Sequence, residues 1–454
     1  MALPGGRDDP DVLPVTPSRV AEGPAQAGLL EELEWRGILH ATTPGLAERL
    51  ASGRPIAGYI GFDPSADSLH VGHLVPIFGL LRLQRFGGRP VAVVGGGTGM
   101  IGDPSGRSTE RNLLDRPTLE SNVAAIRGQL ERFLDFAPGA GGAVMVNNLD
   151  WLGKLSLIDF LRDTGKHFTV PYMLAKDSVQ VRLERGLSFT EFSYMLLQAA
   201  DFEHLYRTMD VELQMGGADQ WGNITAGLEL IRRKAGGAGE GSGAGDPGGA
   251  HGLAYKLLLS PSGAKFGKSE GGESVWLDPA RTSPFAFYQY WLNTDDRDVG
   301  TYLRWFTEFP REEIERLDHA VASRPEGREA QRALARDITA RTHGEQGAAQ
   351  AEAQSASTFE RGLVNLGPDE FAVASNALPR FALPIDGSWT AASAAVASHA
   401  ASSNSEARRL IAQGGLYIND QRVTDANELL PEPLHGRYWV VRTGKKNTRI
   451  VEAG

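Results

Sequence analysis

Short apolar runs alternate with amphipathic stretches from about residue 57 onward. Ala57 to Phe62, Arg89 to Val94 and Ala143 to Asn147 have the length and β-branched content of buried strands. Between them, His73 to Arg85 and Leu119 to Phe133 place apolar residues at helical spacing. Strands and helices alternating at this interval predict a parallel sheet covered by helices, an α/β domain over 31–253. From Pro284 to about Ala353 the pattern is helical, with Phe285, Tyr288, Trp291, Tyr302, Trp305 and Phe306 spaced for packing. This predicts a helical domain over 254–353. Residues 354–387 are less regular and read as a linker. After Trp389 a small α+β domain is expected over 388–454, with a basic helix from Ser405 to Gln413 capped by Gly414 and Gly415. Two short strands then follow from Leu416 to Val423 about a turn at Asn419 and Asp420.

Two segments fall outside this pattern. Residues 1–30 hold five prolines and little periodicity, which predicts a flexible extension. The Gly- and Ala-rich stretch 236–252 predicts a surface insertion. With 41% hydrophobic and 22% charged residues over 454 positions, the rest is ordinary globular sequence for several domains. There is no cysteine, which excludes disulfides, thiolate metal sites and a thiol nucleophile. No apolar run reaches the ~18 residues that span a bilayer, and no signal pattern opens the chain, so a cytoplasmic enzyme without a membrane partner is expected. The net charge of −10 argues against a generally basic nucleic-acid binder. From Ser403 to Gly454, however, eight Lys and Arg stand against six Asp and Glu, a net of +2 on the expected C-terminal domain.

Four stretches carry chemistry. Gly58 to Ser65 leads from a strand end through a Gly/Pro turn to His70-Val71-Gly72-His73 at the head of a helix, where unpaired N–H groups and the dipole favour anions. There the two imidazoles can donate to phosphate oxygens and Gly72 admits a ligand close to the backbone; a pair of helix-capping surface histidines is the plainer reading. Lys265-Phe266-Gly267-Lys268-Ser269 suits a loop that neutralises a polyphosphate, or else is a solvated basic loop. Together the two motifs are the equipment for nucleotidyl transfer from ATP. Tyr194, Gln198 and Asp201 share a helix face as either a polar pocket or an exposed surface. Gly216 to Trp221, with Gly217, Asp219 and Gln220, suits close approach to a nucleoside and its ribose, or is only a turn. Gly97 to Gly102 matches G-x-G-x-x-G in form, but Asp103-Pro104 interrupts the helix a dinucleotide site requires, so no NAD is expected.

These segments resemble the family of bacterial tyrosyl-tRNA synthetases, class I aminoacyl-tRNA synthetases, from about residue 30 to the end. The resemblance is carried by Tyr59 to His73 with HVGH, Gly95 to Arg107, Lys166 to Asp201, GGADQWGNIT from Gly216 to Thr225, and KFGKS. It implies a fold of Rossmann-like catalytic, helical anticodon-binding and S-four-type RNA-binding domains. Tyr59 and Asp201 would bind the phenol of tyrosine, and Asp103, Tyr194 and Gln198 its ammonium group. Asp63, Gly217, Asp219 and Gln220 would position the adenylate, and Gly72 the nucleotide near it. Ser65 and His70 would meet the γ-phosphate and His73 the nucleotide beside it. Lys265, Lys268 and Ser269, with Arg107 and Arg111, would stabilise pyrophosphate. ATP would arrive with Mg2+, no zinc or NAD is implied, tRNA(Tyr) is the macromolecular partner, and a homodimer is implied. Ile60 stands where some relatives have a cysteine, and Pro76 lies in the first turn of the HVGH helix. The rival readings are a tryptophanyl synthetase, which Tyr59 with Asp201 disfavours, a small nucleotidyltransferase, which the extra domains disfavour, and a synthetase-derived RNA-binding protein without essential catalysis.

Overall fold

The structure, a computed structural model, describes residues 26–103, 115–176, 179–180, 186–235, 249–258, 266–267, 274–375, 378–383, 389–444 and 447–453. Gln26, the first described residue, lies a few residues before the expected end of the extension; residues 1–25 lie outside the described ones. Gln26 is buried and its side-chain amide donates to Gly87 O at 2.8 Å. Helix α1 (Leu29–Trp35), strand β1 (Leu39–Thr42) and α2 (Leu46–Ala51) precede the first expected strand.

The alternating core follows as β2 (Ala57–Phe62), α3 (Leu74–Arg85), β3 (Arg89–Val94), α4 (Arg116–Leu130) and β4 (Val144–Asn147). Then come the short α5 (Leu149–Leu152), α6 (Leu157–Asp163) and α7 (Val170–Leu174), the long α8 (Phe189–Met209), β5 (Val211–Gly217), α9 (Trp221–Lys234) and β6 (His251–Tyr255). α4 begins three residues earlier than expected because Asp115 caps it, accepting from Thr118 N at 2.9 Å. Among the described residues these strands form one six-stranded sheet, ordered β1-β6-β5-β2-β3-β4. It departs from the expected all-parallel sheet at one edge, where β1 runs antiparallel to β6. Neither β5 nor β6 was expected as a strand. Both are interior strands, mostly buried on both faces, so they lack the period-2 alternation that marks a half-exposed strand. β6 also reclaims His251 and Gly252, the last residues of the expected insertion; residues 236–248 lie outside the described ones.

The helical part is α10 (Pro284–Leu292), α11 (Asp296–Phe306), α12 (Arg311–Ser323) and α13 (Glu329–Arg361), which kinks at Gly344, where φ is 80°. Two buried arginines bolt it to the sheet layer. Arg36 donates to Arg304 O and Thr307 O at 2.8 and 2.9 Å, and Arg82 donates to Trp305 O at 2.8 Å, so both guanidinium groups meet the C-terminal carbonyls of α11. Burial pulls the Arg82 guanidinium down to about 10, with Glu308 opposing, and it remains cationic at neutral pH.

The stretch 354–387, expected to be irregular, contains the end of α13, then α14 (Pro368–Ser375) and β7 (Arg380–Leu383). β7 pairs in parallel with the last strand, so its order is set by a partner some 70 residues away in sequence. The rest of the C-terminal part is α15 (Ala391–Ala397), α16 (Asn404–Ala412), β8 (Leu416–Ile418), β9 (Gln421–Arg422), β10 (Tyr438–Thr443) and β11 (Asn447–Ala453), in the sheet order β7-β11-β10-β8-β9. Asn419 and Asp420, both at positive φ, make the expected turn between β8 and β9. A separate core of Leu383, Ala394, Ile411, Leu416, Val441 and Val451 holds this part together.

Candidate active site

The C-terminal ends of β2, β3, β4 and β5 lie along one edge of the sheet, where a doubly wound fold opens a crevice. β2 ends at Phe62 and delivers Asp63. The glycine-rich segment after β3 turns through a 3-10 helix at Thr98–Met100 rather than opening an α-helix, and brings Asp103 to the same crevice. β4 delivers Asn148, β5 delivers Gly217, and α8 faces them with Tyr194, Gln198 and Asp201.

The deepest group is a phenol opposite a carboxylate. Tyr59 on β2 is 2% exposed, and its hydroxyl is buried without a hydrogen-bond partner. Burial pushes it well above its ordinary range, with the Asp201 charge adding to the effect. Asp201 is itself 3% exposed, and desolvation raises its carboxyl to about 7 against two donors that favour the ionised form. Those donors are Asn148 Nδ2 at 2.8 Å and Trp151 Nε1 at 2.7 Å. Tyr194 and Asp201 are buried on this helix face and Gln198 is half-buried, so the exposed-surface reading fails for the first two.

A polar chain leads outward from this pair. Asn148 Nδ2 donates to Thr98 Oγ1 at 2.9 Å, Thr98 donates to Asp63 Oδ1 at 2.9 Å, and Tyr194 OH donates to Asp63 Oδ2 at 3.1 Å. Burial raises the Tyr194 hydroxyl well above its usual range, and the charges of Asp63, Asp103 and Asp201 all act on it in the same direction. On the other wall, Gln220 Nε2 donates to Asp103 Oδ2 at 2.7 Å, and Asn223 Nδ2 donates to Gln198 Oε1 at 3.0 Å. Asp219 is raised by burial and by Asp103. A Cβ on Gly217 would stand 2.6 Å from the Asp219 Oδ1, so a side chain there would push that carboxylate aside.

At the head of α3, His70 caps a 3-10 turn at Val71–His73. His70 Nδ1 accepts from Gly72 N at 3.0 Å, and His73 Nδ1 accepts from His70 N at 3.1 Å. Both rings must therefore carry their proton on Nε2, facing away from the backbone they cap. The rings lie 4.1 Å apart, and a side chain on Gly72 would drive into the His70 ring at 2.7 Å. The helix-capping and anion-binding readings of this motif are thus compatible: Nδ1 caps and Nε2 donates. Ser65 is exposed at the rim. Pro76 occupies the first turn of α3, where no intrahelical N–H bond is lost. Of the basic loops, Phe266 and Gly267 are described; Lys265, Lys268, Ser269, Arg107 and Arg111 lie outside the described residues.

Residues 51–360 match the family model described as class I tRNA synthetases (W and Y), and residues 370–451 match the SYY-like C-terminal domain of tyrosine–tRNA ligases. The tyrosine–tRNA ligase of Roseiflexus castenholzii is 49% identical over 432 residues, 93% of this chain and 99% of that protein. The chain belongs to the tyrosine–tRNA ligase family of class I tRNA synthetases. Another family member, from Geobacillus stearothermophilus, is 46% identical over 427 residues. The crystal structure of a C-terminally truncated Aspergillus nidulans mitochondrial tyrosyl-tRNA synthetase superposes with a TM-score of 0.64 at 30% identity, covering 73% of this chain and 94% of that one. The family also removes the nucleotidyltransferase rival, which has no helical and C-terminal parts to match.

Three residues of this tyrosine–tRNA ligase pocket escaped the motif reading: Thr98, Asn148 and Trp151. Each donates to a carboxylate. Asn148 alone left a trace, as a polar residue directly after a parallel strand, the position from which such sheets present functional groups.

Proposed function

We propose that the chain activates L-tyrosine with ATP and transfers the tyrosyl group to tRNA(Tyr), and that the crevice described above is where both steps occur. The reading is carried by one observation, the buried and unpartnered Tyr59 hydroxyl beside Asp201. A phenol entering there donates to the Asp201 carboxylate and accepts from Tyr59, satisfying a group whose burial otherwise costs free energy. An indole or a phenyl ring offers no such pair.

The tyrosine ammonium group sits against Asp103, Tyr194 and Gln198, where nearby carboxylates favour a cation. Its carboxylate then faces Gln220. Asp63, Gly217, Asp219 and Gln220 hold the adenylate and its ribose, and Gly72 lets the nucleotide lie against the backbone. Ser65, His70 and His73 donate to the phosphates through the Nε2–H and hydroxyl groups. Lys265, Lys268 and Ser269, with Arg107 and Arg111, neutralise the pyrophosphate. A tyrosine carboxylate oxygen bonds to the α-phosphorus while the bond to the bridging oxygen breaks, and pyrophosphate leaves with that electron pair. In the second step a ribose hydroxyl of the tRNA terminus attacks the activated carbonyl carbon, AMP departs, and the hydroxyl proton passes to the phosphate or to water. The residues contribute positioning and charge stabilisation without a covalent enzyme intermediate.

Mg2+ accompanies ATP in this reading, held by the phosphates. Among the described residues no group of three His, Asp or Glu side chains is arranged to hold a metal. The domain assignment keeps a catalytic, an anticodon-binding and a C-terminal RNA-binding part, with the expected boundaries moved to the elements: the catalytic sheet runs through β6 to Tyr255, α13 carries the helical part to Arg361, and β7 (Arg380–Leu383) belongs with the C-terminal sheet. The working form is a homodimer. In its support, Leu157, Ile158 and Leu161 on α6, with Leu155, Val170 and Phe189 nearby in sequence, are all at least 46% exposed, an apolar set that a second copy covers. No described helix is long and apolar enough to cross a membrane, and the proposed location is the cytoplasm.

The test is ATP–pyrophosphate exchange by the purified chain with tyrosine, phenylalanine or tryptophan, followed by tRNA(Tyr) charging. Exchange with tyrosine alone supports the reading. Exchange or charging without a preference for tyrosine refutes the amino-acid assignment, and no exchange by folded protein refutes the reading and favours an RNA-binding derivative.

A further inference from the structure

The centre of the KFGKS segment is held by the helical part of the chain, not by the sheet. Phe266 stacks on Phe306 of α11, with ring centroids 5.3 Å apart and planes within 5°. It also meets Tyr302 at 5.4 Å and Trp291 of α10 at 6.2 Å. Gly267 N donates to Tyr290 OH at 3.3 Å, and Gly267 O accepts from Val275 N at 3.4 Å. Every aromatic partner named thus belongs to α10 or α11.

The same pair stands against the HVGH turn. A Cβ placed on Gly267 would lie 3.7 Å from Gly72 N and 3.9 Å from His70 Nδ1. The chain after the loop then runs antiparallel to that turn: Val71 N donates to Val275 O at 2.9 Å, and Leu277 N to Leu69 O at 2.8 Å. α11 is in turn fixed to the HVGH helix. Phe306 packs on Phe78 of α3 with centroids 6.0 Å apart, and Arg82 of α3 grips the last carbonyls of α11. One packed block therefore sets both the turn at the head of α3 and the centre of the loop.

We propose that Phe266 is a positioning residue for adenylate formation: its seat among Trp291, Tyr302 and Phe306 fixes the register between the KFGKS segment and the HVGH turn. This rests on the reading of KFGKS given above. Phe266 touches no reactant. The seat fixes Phe266 and Gly267, the centre of the segment, against the HVGH turn where the charge on pyrophosphate is to be met. A displacement of about 1 Å of such groups is enough to cost roughly 100-fold in rate. Tyrosine binds at the far end of the crevice, beside Tyr59 and Asp201, and its affinity does not depend on this seat.

The experiment compares full-length wild type, Phe266→Ala, Phe266→Leu, Tyr290→Phe and Lys265→Ala. Single-turnover adenylate formation is followed by rapid quench at saturating tyrosine and ATP, and tyrosine affinity by equilibrium dialysis. Phe266→Ala is expected to slow adenylate formation by about 30- to 100-fold while tyrosine affinity stays within twofold. Phe266→Leu refills the seat and should recover most of the rate. Tyr290→Phe removes one hydrogen bond to Gly267 and should cost about 3- to 10-fold. It tests the same idea should Phe266→Ala fail to fold. An unchanged rate in Phe266→Ala or, if that variant is unfolded, in Tyr290→Phe, with Lys265→Ala slow, overturns the positioning role and leaves the KFGKS reading intact. Equal losses of tyrosine affinity and rate also overturn it, as the mark of a general structural role. Lys265→Ala at wild-type rate removes the KFGKS reading and this inference with it.

Discussion

Replacing Tyr59 by Phe should stabilise the ligand-free protein and weaken tyrosine binding, two effects of opposite sign from one oxygen atom. In the structure that oxygen is buried and has no partner, beneath a ring packed against Phe202 with centroids 5.4 Å apart. A hydroxyl removed from water without a replacement hydrogen bond costs about 1–3 kcal/mol. Phenylalanine keeps the ring and its packing, so most of that cost should return as stability. For a domain of this size each kcal/mol moves the thermal midpoint by about 2 to 4 °C, which puts the expected rise at roughly 2 to 8 °C. With tyrosine bound the balance reverses, because the ligand phenol loses its donor. A loss of about 1–3 kcal/mol corresponds to about 5- to 150-fold in affinity. Saturating tyrosine should therefore raise the wild-type midpoint by more than that of Tyr59→Phe. Thermal unfolding with and without tyrosine, combined with tyrosine-dependent pyrophosphate exchange, measures both arms. The KM for ATP should not change. A variant less stable than wild type without ligand, or one with tyrosine affinity within twofold of wild type, would show that the hydroxyl is not the phenol-binding donor.

The raised carboxyl of Asp201 makes tyrosine binding pH-dependent. Its pKa of about 7 should fall when a phenol donates to it, so affinity should rise from pH 5.5 to about 7 and then level, with proton release seen by calorimetry; a flat profile, or one retained in Asp201→Asn, counts against this. The same shift, from 3.8 to about 7, means that stability from the protonated form is complete below about pH 4 and lost as pH rises through 7, at most about 4 kcal/mol. Asp201→Asn should flatten that decline in urea midpoints while abolishing tyrosine activation. Trp151→Phe removes one donor to Asp201 and should lower kcat/KM for tyrosine by about 3- to 10-fold, with partial recovery at higher pH; recovery at lower pH would reverse the assigned role. Ile158→Glu should shift the chain to monomer in sedimentation velocity, and a dimer of undiminished affinity would place the interface elsewhere.

What sequence reading located well were local features whose signal does not depend on partners. The HVGH turn, the α8 face bearing Tyr194, Gln198 and Asp201, and the turn at Asn419 and Asp420 are each encoded within a few residues, by capping, helical spacing or tolerance of positive φ. Tertiary structure decided everything that depends on distant partners. β5 and β6 have no alternation because the sheet buries both their faces, and β7 is a strand only because β11 lies beside it. Thr98, Asn148 and Trp151 gain their roles from Asp63 and Asp201, between 35 and 53 residues away. The seat of Phe266 lies on helices that follow it in the chain, and no spacing in a pentapeptide reports what its apolar side chain will meet. The carboxyl of Asp201 is an ordinary acid in the sequence. It reaches about 7 only because folding removes it from water, a property of the packed crevice and not of the residue.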